Sequence, residues 1–130
     1  MKFLLDTDSV SFALRGQGAV ADEIRAHPPS DLGMSAITLA ELRFGAERRR
    51  SRRLNRLIEA FAGDVAVVPF DDEAAARFGK VAAALMAKGT PIGVLDTVIA
   101  AHALQLGLTL VTHNTKHFKR VRGLKIADWY

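Results

Sequence analysis

The chain has no cysteine among its 130 residues. This absence excludes disulfide bonds and thiolate metal ligands, and it argues against a zinc site. Long apolar runs are missing as well, since none reaches the roughly 18 residues that a membrane span requires. The amino-terminal sequence MKFLLDTD meets an acid after three apolar residues. We therefore expect no signal peptide, no membrane association and a cytoplasmic location.

The composition is that of a globular domain. Hydrophobic residues make up 49% of the chain and charged residues 25%, which are ordinary proportions for such a domain. A chain of this length can bury a substantial core but is too short for two ordinary domains. We therefore predict a single domain that spans residues 1–130.

Basic residues outnumber acidic ones, 18 to 14, and they are concentrated in two clusters. The first basic cluster comprises Arg48, Arg49, Arg50, Arg52, Arg53 and Arg56. The second basic cluster comprises Lys116, Lys119, Arg120, Arg122 and Lys125. Each could be a solvated helix face, a contact to phosphate groups or a contact to an acidic protein partner. Composition alone leaves these three interpretations open.

Short apolar runs alternate with segments of helical periodicity along the chain. The predicted strands are residues 3–5, 32–35, 65–68, 109–112 and 124–126. The predicted helices are residues 7–16, 19–26, a segment that begins at 35 or 38 and passes through Gly45, then 53–62, 73–88 and 96–106. This alternation predicts an α/β fold: a mostly parallel sheet of about five short strands, covered by helices on both faces.

Four polar residues stand at the edges of these apolar segments. Asp6 and Asn114 follow the first and fourth predicted strands, Glu41 lies on the helix after the second strand, and Asp96 opens the helix before the fourth. Ligand sites of open α/β sheets lie beyond the carboxyl ends of the strands, where the strand order reverses. If the first and fourth strands are neighbours there, all four side chains can converge.

Three converging carboxylates repel one another unless a cation lies among them. Mg²⁺ prefers oxygen ligands and keeps part of its coordination shell for water and phosphate, and Mn²⁺ accepts similar ligands. Such an ion can polarise a phosphoryl oxygen and lower the pKa of an attacking water. Asp6, Glu41 and Asp96 therefore predict a site for metal-dependent chemistry at a phosphoryl group.

Each candidate also has a simpler structural interpretation. Asp6 and Asp96 could be helix N-caps, Glu41 could be an exposed helical glutamate, and Asn114 could be a turn residue with positive φ. We interpret Asp8 as a cap, in competition with Thr7 and Ser9, rather than as a metal ligand.

The remaining chemically capable side chains receive structural interpretations. His102 stands six positions after Asp96 on the same predicted helix, and we expect it to point away from the site into the core. His113 and His117 lie close to the site and could contact its ligand or simply face solvent. We expect Phe118 and Trp129 to complete the core rather than to contact a ligand.

Four stretches together resemble the PIN-domain ribonucleases, and within them the VapC toxins of bacterial toxin–antitoxin pairs. The stretches are LLDTD at 4–8, SAITLAELRFGAE at 35–47, PIGVLDTVIAAHALQLGLTLVTHNTKHF at 91–118 and GLKIADW at 123–129. The resemblance covers nearly the whole chain and implies a PIN-like three-layer α/β/α sandwich.

The resemblance also implies roles for particular residues. Asp6, Glu41 and Asp96 match the three metal-binding acids of the family, and Thr112 matches a hydroxyl that helps to orient the first aspartate. Asn114 falls where many PIN domains have a fourth acid, which puts the number of metal ions in doubt. Further candidates are Thr7 as a supporting residue, and Arg48, Arg49, Arg50 and Lys116 as contacts to RNA or to an antitoxin.

At the level of function, the resemblance implies a Mg²⁺- or Mn²⁺-dependent endoribonuclease that cuts a loop of tRNA or ribosomal RNA. It implies a homodimer and a cognate VapB-type antitoxin as partners. Two other interpretations stay open at this point. One is a PIN-like domain that binds RNA or a partner with little or no cleavage. The other is a haloacid-dehalogenase-type phosphatase with Asp6 as its nucleophile, because an Asp-x-Asp sequence after an apolar strand also begins such enzymes.

Overall fold

Five short strands form a single sheet in the computed structural model, which describes residues 1–130. The strands are β1 (Phe3–Leu5), β2 (Leu32–Ser35), β3 (Ala66–Val68), β4 (Thr109–Val111) and β5 (Ile126–Ala127). Their order across the sheet is β3-β2-β1-β4-β5, and every neighbouring pair is parallel. The predicted parallel sheet of five short strands is confirmed.

Seven α-helices connect and cover the strands. They are α1 (Thr7–Arg15), α2 (Val20–Arg25), α3 (Ala36–Arg48), α4 (Arg52–Asp64), α5 (Asp72–Ala87), α6 (Val94–Leu106) and α7 (Thr115–Phe118). A 3₁₀ turn at Pro29–Asp31 precedes β2. Gly45 lies inside α3, as expected. The helix that carries Asp96 begins two residues earlier than predicted, and neither α7 nor the 3₁₀ turn was predicted.

The chain reverses its direction across the sheet between β1 and β4. It first adds β2 and β3 on one side of β1 and then returns to place β4 and β5 on the other side. Leu4 pairs with Leu110 and Leu5 with Val111, which aligns the carboxyl ends of β1 and β4. The expected neighbourhood of the first and fourth strands is confirmed, and the ends of these strands are where open α/β sheets place their ligand sites.

Alternate residues of the central strands face opposite helical layers. Leu4 and Leu110 pack into a cluster with residues of α5, α6 and α7. Leu5 and Val111 pack into a second cluster with residues of α1, α3 and α4. Because successive strand residues point to opposite faces, both faces of the sheet are buried, and the predicted three-layer sandwich is confirmed.

The buried side of α6 contains two polar side chains, Thr97 and His102. His102 is completely buried, and its Nδ1 lies 2.9 Å from the Oγ of Ser35 at the end of β2. Burial lowers the pKa of His102, while Asp71 and the Pro69 backbone act in the opposite direction. The histidine is therefore a core residue, as expected. None of the helices combines the length and the apolar character needed to cross a bilayer.

Candidate active site

Asp6 lies directly after β1 and begins α1. Its backbone is extended, and its Oδ1 accepts a hydrogen bond of 2.8 Å from the backbone N–H of Ser9. The N-cap of α1 is therefore Asp6, and the prediction of Thr7, Asp8 or Ser9 as the cap is wrong. An extended residue with a short side-chain acceptor suits this position, and the end of a strand supplies the extended backbone.

The environment of Asp6 disfavours its negative charge. The residue is only 6% exposed, and burial raises the pKa of its carboxyl to about 6. Hydrogen bonds from Thr112 and Ser9 lower this pKa, and the negative charge of Asp8 raises it. Thr112, fully buried just after β4, thus contacts Asp6, as the resemblance implied. The negative charge of a buried carboxylate is unfavourable unless a cation neutralises it. A bound metal ion would supply that positive charge.

Glu41 reaches the site from the second turn of α3. Its Oε1 accepts a hydrogen bond of 2.6 Å from the Oγ1 of Thr7, the first residue of α1. The same hydroxyl lies 3.4 Å from the Oγ1 of Thr38. Glu41 is half-buried and so is not a freely solvated glutamate. Thr7 holds it beside Asp6, a contact between two helices that sequence reasoning did not anticipate.

Asp96 lies in the first turn of α6, where it does not serve as the cap. Gly93 occupies the N-cap position with φ +94°, and its carbonyl accepts from the Oγ1 of Thr97. The Oδ2 of Asp96 lies 3.2 Å from the Nε2 of His117 on α7. Nε2 also donates to the carbonyl of Ile92 at 2.6 Å. Because a carbonyl can only accept, Nε2 carries a proton.

Asp8 links Asp6 and Asp96 electrostatically. Burial raises the pKa of Asp96, and the negative charge of Asp8 raises it further, while the charge and the hydrogen bond of His117 lower it. Since Asp8 acts on both carboxyls, it belongs to the acidic cluster and is not the cap that we expected. Asp8 and His117 are the two residues whose contribution sequence reasoning underestimated. Asp8 is exposed in the first turn of α1, and its place as the second aspartate of the LLDTD stretch was the one sequence signal of a role.

Asn114 occupies the N-cap position of the short helix α7 but makes no side-chain capping hydrogen bond. Its φ is −87°, so the alternative interpretation as a turn residue with positive φ is wrong. Its backbone N–H donates to the Oγ1 of Thr112 at 3.1 Å, which ties it to the hydroxyl that contacts Asp6. The amide side chain is exposed at the carboxyl end of β4. This amide caps no helix and is open to solvent.

The acidic side chains lie near one another, but they are not arranged around a single position that a metal ion could occupy. No group of three His, Asp or Glu side chains is close enough to hold a metal ion. All three predicted metal-binding carboxylates accept from protein donors: Asp6 from Ser9, Glu41 from Thr7 and Asp96 from His117. The donor set itself consists of carboxylate and amide oxygens, and burial raises the pKa of both Asp6 and Asp96. In chemistry it fits a hard divalent cation.

The other histidines and aromatic side chains near the site have protein partners. His113 stacks on Tyr130 at 4.1 Å, and its Nδ1 lies 3.1 Å from a carboxylate oxygen of Asp128. Phe118 is buried in the core, and the partly buried Trp129 packs against the second hydrophobic cluster. The expectation that these two aromatic residues complete the core is confirmed.

The predicted contact residues surround the cluster at a distance. Arg48 ends α3, and seven residues separate it from Glu41, which corresponds to about 10 Å along the same face of the helix. Arg49 and Arg50 continue from it into an exposed turn. Lys116 is exposed on α7 beside His117. None of these four basic residues makes an ion pair with an acid of the site, because the ion pair that involves such an acid joins Asp96 to His117.

Comparison with known proteins identifies the scaffold. The PIN domain family matches residues 3–124. The chain belongs to the PIN-domain family. Proteins of this family are nucleases that depend on a metal ion, so the nuclease class and the metal dependence predicted from the sequence are confirmed at the level of the family. The alternative interpretation as a haloacid-dehalogenase-type phosphatase is therefore wrong.

Individual relatives of this PIN domain are VapC ribonucleases. It is 37% identical to a tRNA(fMet)-specific endonuclease VapC of Salmonella typhimurium over 130 residues, which cover 99% of this chain and 98% of the relative. It is 35% identical to ribonuclease VapC2 of Haemophilus influenzae over 133 residues, with the same coverage. The DNA-bound VapBC structure from Salmonella typhimurium superposes with a TM-score of 0.94 at 36% identity, covering 100% of this chain and 99% of that one. The resemblance to VapC toxins is confirmed.

Proposed function

We propose that this chain, acting as one domain in the cytoplasm, is the endoribonuclease toxin of a toxin–antitoxin pair. It cleaves structured RNA within a loop of tRNA or ribosomal RNA and thereby inhibits translation and growth. One observation carries the proposal: an acidic cluster lies at the carboxyl edge of the β1–β4 switch point in a chain that aligns end to end with a tRNA endonuclease. A loop suits the reaction because its bases and backbone can be splayed out of a helix.

Asp6, Glu41 and Asp96 are the residues that hold the metal ion in this proposal, with Mg²⁺ as the ion and Mn²⁺ as a substitute. The bound ion supplies Lewis-acid activation of the phosphodiester and of an attacking water. Asn114 is neutral, so it lowers the negative charge of the site by one compared with an acid at the same position. The protein therefore favours one tightly held ion over two.

The surrounding residues act as positioning groups. Thr112 and Ser9 fix the orientation of Asp6 through hydrogen bonds, and Thr7 holds Glu41. His117 holds Asp96 and ties α7 to the segment that precedes α6. These contacts keep the carboxylates near one another before metal binds, which reduces the reorganisation needed to form the site.

Basic side chains flank the acidic cluster and suit a polyanionic ligand. Arg48, Arg49, Arg50 and Lys116 are exposed and are the candidates for contact with RNA phosphates or with an antitoxin. Solved relatives are complexes of a VapC toxin with its VapB partner, some of them on DNA. By analogy, we propose a cognate VapB-type antitoxin as the inhibitor of this protein.

We also propose that the protein is a homodimer. Three apolar side chains at the junction of α5 and α6 are unusually exposed: Met86 at 77%, Val94 at 71% and Leu95 at 49%. We call them the α5–α6 apolar patch. Met86 and Val94 also line one cavity, and exposed apolar side chains gathered in this way are typical of an interface. The patch directly precedes Asp96, so pairing two copies through it would bring the two acidic clusters towards one groove.

Incubation of total bacterial RNA with the purified protein tests the proposed function. The arms contain Mg²⁺, Mn²⁺ or EDTA, and an Asp6→Asn variant serves as the matched inactive protein. A discrete cleavage product that requires both metal and Asp6 is the expected result. Absence of cleavage from folded wild-type protein with either metal would contradict the proposal and favour a PIN domain that binds RNA or a partner without cutting.

A further inference from the structure

A strongly basic cavity lies beside the carboxyl end of α6, about 12 Å along the helix from Asp96, and is not used by the proposed chemistry. It encloses about 280 Å³ between α5, the end of α6 and the segment that follows α7. No acidic residue lines it. The five basic residues on its rim are Arg77, Lys80, Lys88, Arg120 and Arg122.

The rim brings together charges that are distant in sequence. Arg77, Lys80 and Lys88 recur along one face of α5 at spacings of three and eight residues. Arg120 and Arg122 belong to the second basic cluster and approach from the other side. The fold therefore converts a basic run of the sequence and a helical stripe into one concave surface.

None of the five rim charges is neutralised by the protein. None of them forms an ion pair, and the hydrogen bond of Arg120 goes to the neutral carbonyl of Pro91. Glu73 lines a neighbouring cavity with Arg77 and Lys80, but its carboxylate accepts a hydrogen bond from Gln105. Five like charges around one cavity repel one another, and an anionic ligand would relieve that repulsion.

The charged rim of the cavity favours phosphate over an uncharged ligand. The floor includes Val81, Leu85 and Val121, which pack in the hydrophobic core and carry no charge of their own. Guanidinium and ammonium groups, in contrast, bind phosphate oxygens through charge-assisted hydrogen bonds.

The cavity is connected to the acidic cluster. Leu104, which lines the cavity, lies eight residues beyond Asp96 on α6, or about 12 Å along the helix axis. His117 and Arg120 fasten the α7 region to the residues just before α6. An RNA whose loop lies in the acidic cluster can therefore reach this cavity with its flanking stem.

We propose that this basic cavity binds a phosphodiester segment of the structured RNA outside the loop that is cleaved. This inference rests on the proposed function and deepens it, because it provides a physical basis for selecting a folded RNA over an isolated loop. It predicts that the cavity contributes to binding of the folded substrate and contributes nothing to the chemical step.

The test compares a Lys80→Gln/Arg122→Gln variant with a Lys2→Gln/Arg25→Gln variant, which loses the same charge elsewhere. Lys80 and Arg122 are exposed and make no side-chain hydrogen bond, so their replacement leaves the fold intact. Lys2 precedes β1 at the amino edge of the sheet, away from the acidic cluster, and Arg25 ends α2. Each variant is assayed on bacterial tRNA and on a short oligonucleotide that contains only the cleaved loop.

For the cavity variant we expect the KM for tRNA to rise about tenfold with kcat unchanged, while cleavage of the short oligonucleotide stays the same. The slope of log affinity against log salt should also fall by about 1 to 2. The control variant should behave like the wild type. Equal effects of the two variants, or an unchanged KM for tRNA, would overturn the proposal. Weakened antitoxin binding with unchanged tRNA binding would overturn it in favour of an acidic protein partner.

A binding measurement separates this inference from the proposed function. If the wild-type protein cuts no RNA, the proposed function fails, and retention of labelled tRNA on filters in EDTA still tests the cavity. Weaker retention of tRNA by the cavity variant alone would support phosphate binding, and equal retention by all three proteins would overturn it.

Discussion

At the scale of single residues, the burial of Asp6 sets the pH dependence of the metal-free protein. Its pKa is about 6 in the folded protein, against 3.8 for an unperturbed aspartate. A raised pKa means that the folded state binds the proton more tightly than the unfolded state, so stability falls as the pH rises from about 4 to above 6. The difference corresponds to about 3 kcal/mol in the free energy of unfolding.

We therefore expect Asp6→Asn to stabilise the metal-free protein by about 2 to 3 kcal/mol at pH 8 and to have almost no effect at pH 4. Asparagine keeps an oxygen that can cap α1 through the Ser9 N–H. Urea unfolding of both proteins in EDTA measures the difference at each pH. Equal stability of the two proteins at pH 8 would show that burial does not penalise this carboxylate. Addition of Mg²⁺ should stabilise the wild type more than the variant.

Thr7 is the residue that most directly controls Glu41. Its hydroxyl donates to Glu41 at 2.6 Å, and a hydrogen bond to a charged group contributes about 1.5 to 3 kcal/mol. Thr7→Val keeps the shape of the side chain and removes the donor, so we expect kcat for RNA cleavage to fall about tenfold with little change in KM. Single-turnover cleavage rates measure this effect.

Two matched variants distinguish positioning of Glu41 from a general loss of stability. Thr7→Ser retains the hydroxyl and should restore most of the activity. Thr109→Val removes a hydroxyl at the amino end of β4, on the edge of the sheet away from the site, and should cleave like the wild type. A Thr7→Ser protein as slow as Thr7→Val would rule out the role of the hydroxyl.

The individual acids could be located from the sequence because each stands next to an apolar segment of recognisable type. Asp6 is a clear case, since a strand end predicts its position without any knowledge of packing. The contacts that hold the acids are different. Thr7 meets Glu41, and His117 meets Asp96, only through the packing of helices that are distant in sequence. No local pattern encodes such contacts.

At the scale of secondary-structure elements, the start of α6 determines where Asp96 lies. Gly93 forms its N-cap with φ +94° and ψ 154°, a conformation nearly exclusive to glycine. We expect Gly93→Ala to lower the free energy of unfolding by about 1 to 3 kcal/mol and to slow cleavage, because relief of the strain shifts the first turn that carries Asp96. A Cβ at this position would meet no atom within 4 Å, so the cost is backbone strain alone.

Gly79→Ala is the matched control for Gly93→Ala. Gly79 lies within α5, where an added Cβ also meets open space. Alanine there should stabilise the protein by about 0.5 to 1 kcal/mol, since it has the higher helix propensity. Urea unfolding should therefore show a less stable Gly93→Ala protein and a more stable Gly79→Ala protein. Only Gly93→Ala should cleave RNA more slowly than the wild type. Equal effects of the two substitutions would exclude a special role for the Gly93 conformation.

The elements that the sequence failed to predict are short. α7 spans four residues, and a segment of that length depends on its surroundings because helix formation has a costly nucleus. Phe118 supplies this support by inserting into the core. The longer helices and the apolar strands have enough periodicity to be read directly, whereas β5 was placed two residues too early because its apolar signal is confined to a few residues.

At the scale of the whole molecule, the distribution of charge separates the site from its surroundings. The net charge is +4, yet the carboxyl edge of the sheet carries Asp6, Asp8, Glu41 and Asp96. Basic side chains are displaced to the end of α3, to α7 and to the rim of the basic cavity. A polyanion is thus attracted to the molecule as a whole, while the acidic cluster excludes phosphate unless a cation is present.

The α5–α6 apolar patch leads to the last prediction. We expect the wild type to elute as a dimer of twice the 14.1 kDa chain mass and Met86→Lys/Val94→Lys to elute as a monomer. Both side chains are more than 70% exposed, so lysine costs the isolated chain little, but a buried ammonium group in a dimer interface is strongly unfavourable. Phe44→Lys changes a comparably exposed apolar residue on α3 and serves as the control.

Light scattering measures the molar mass of each variant and so identifies the interface. A monomer from Phe44→Lys, together with a dimer from Met86→Lys/Val94→Lys, would place the interface on α3 and contradict the prediction. If the dimer depends on the patch, the two acidic clusters act within one assembly, and the monomeric variant should lose affinity for folded RNA while its cleavage of a short loop is retained.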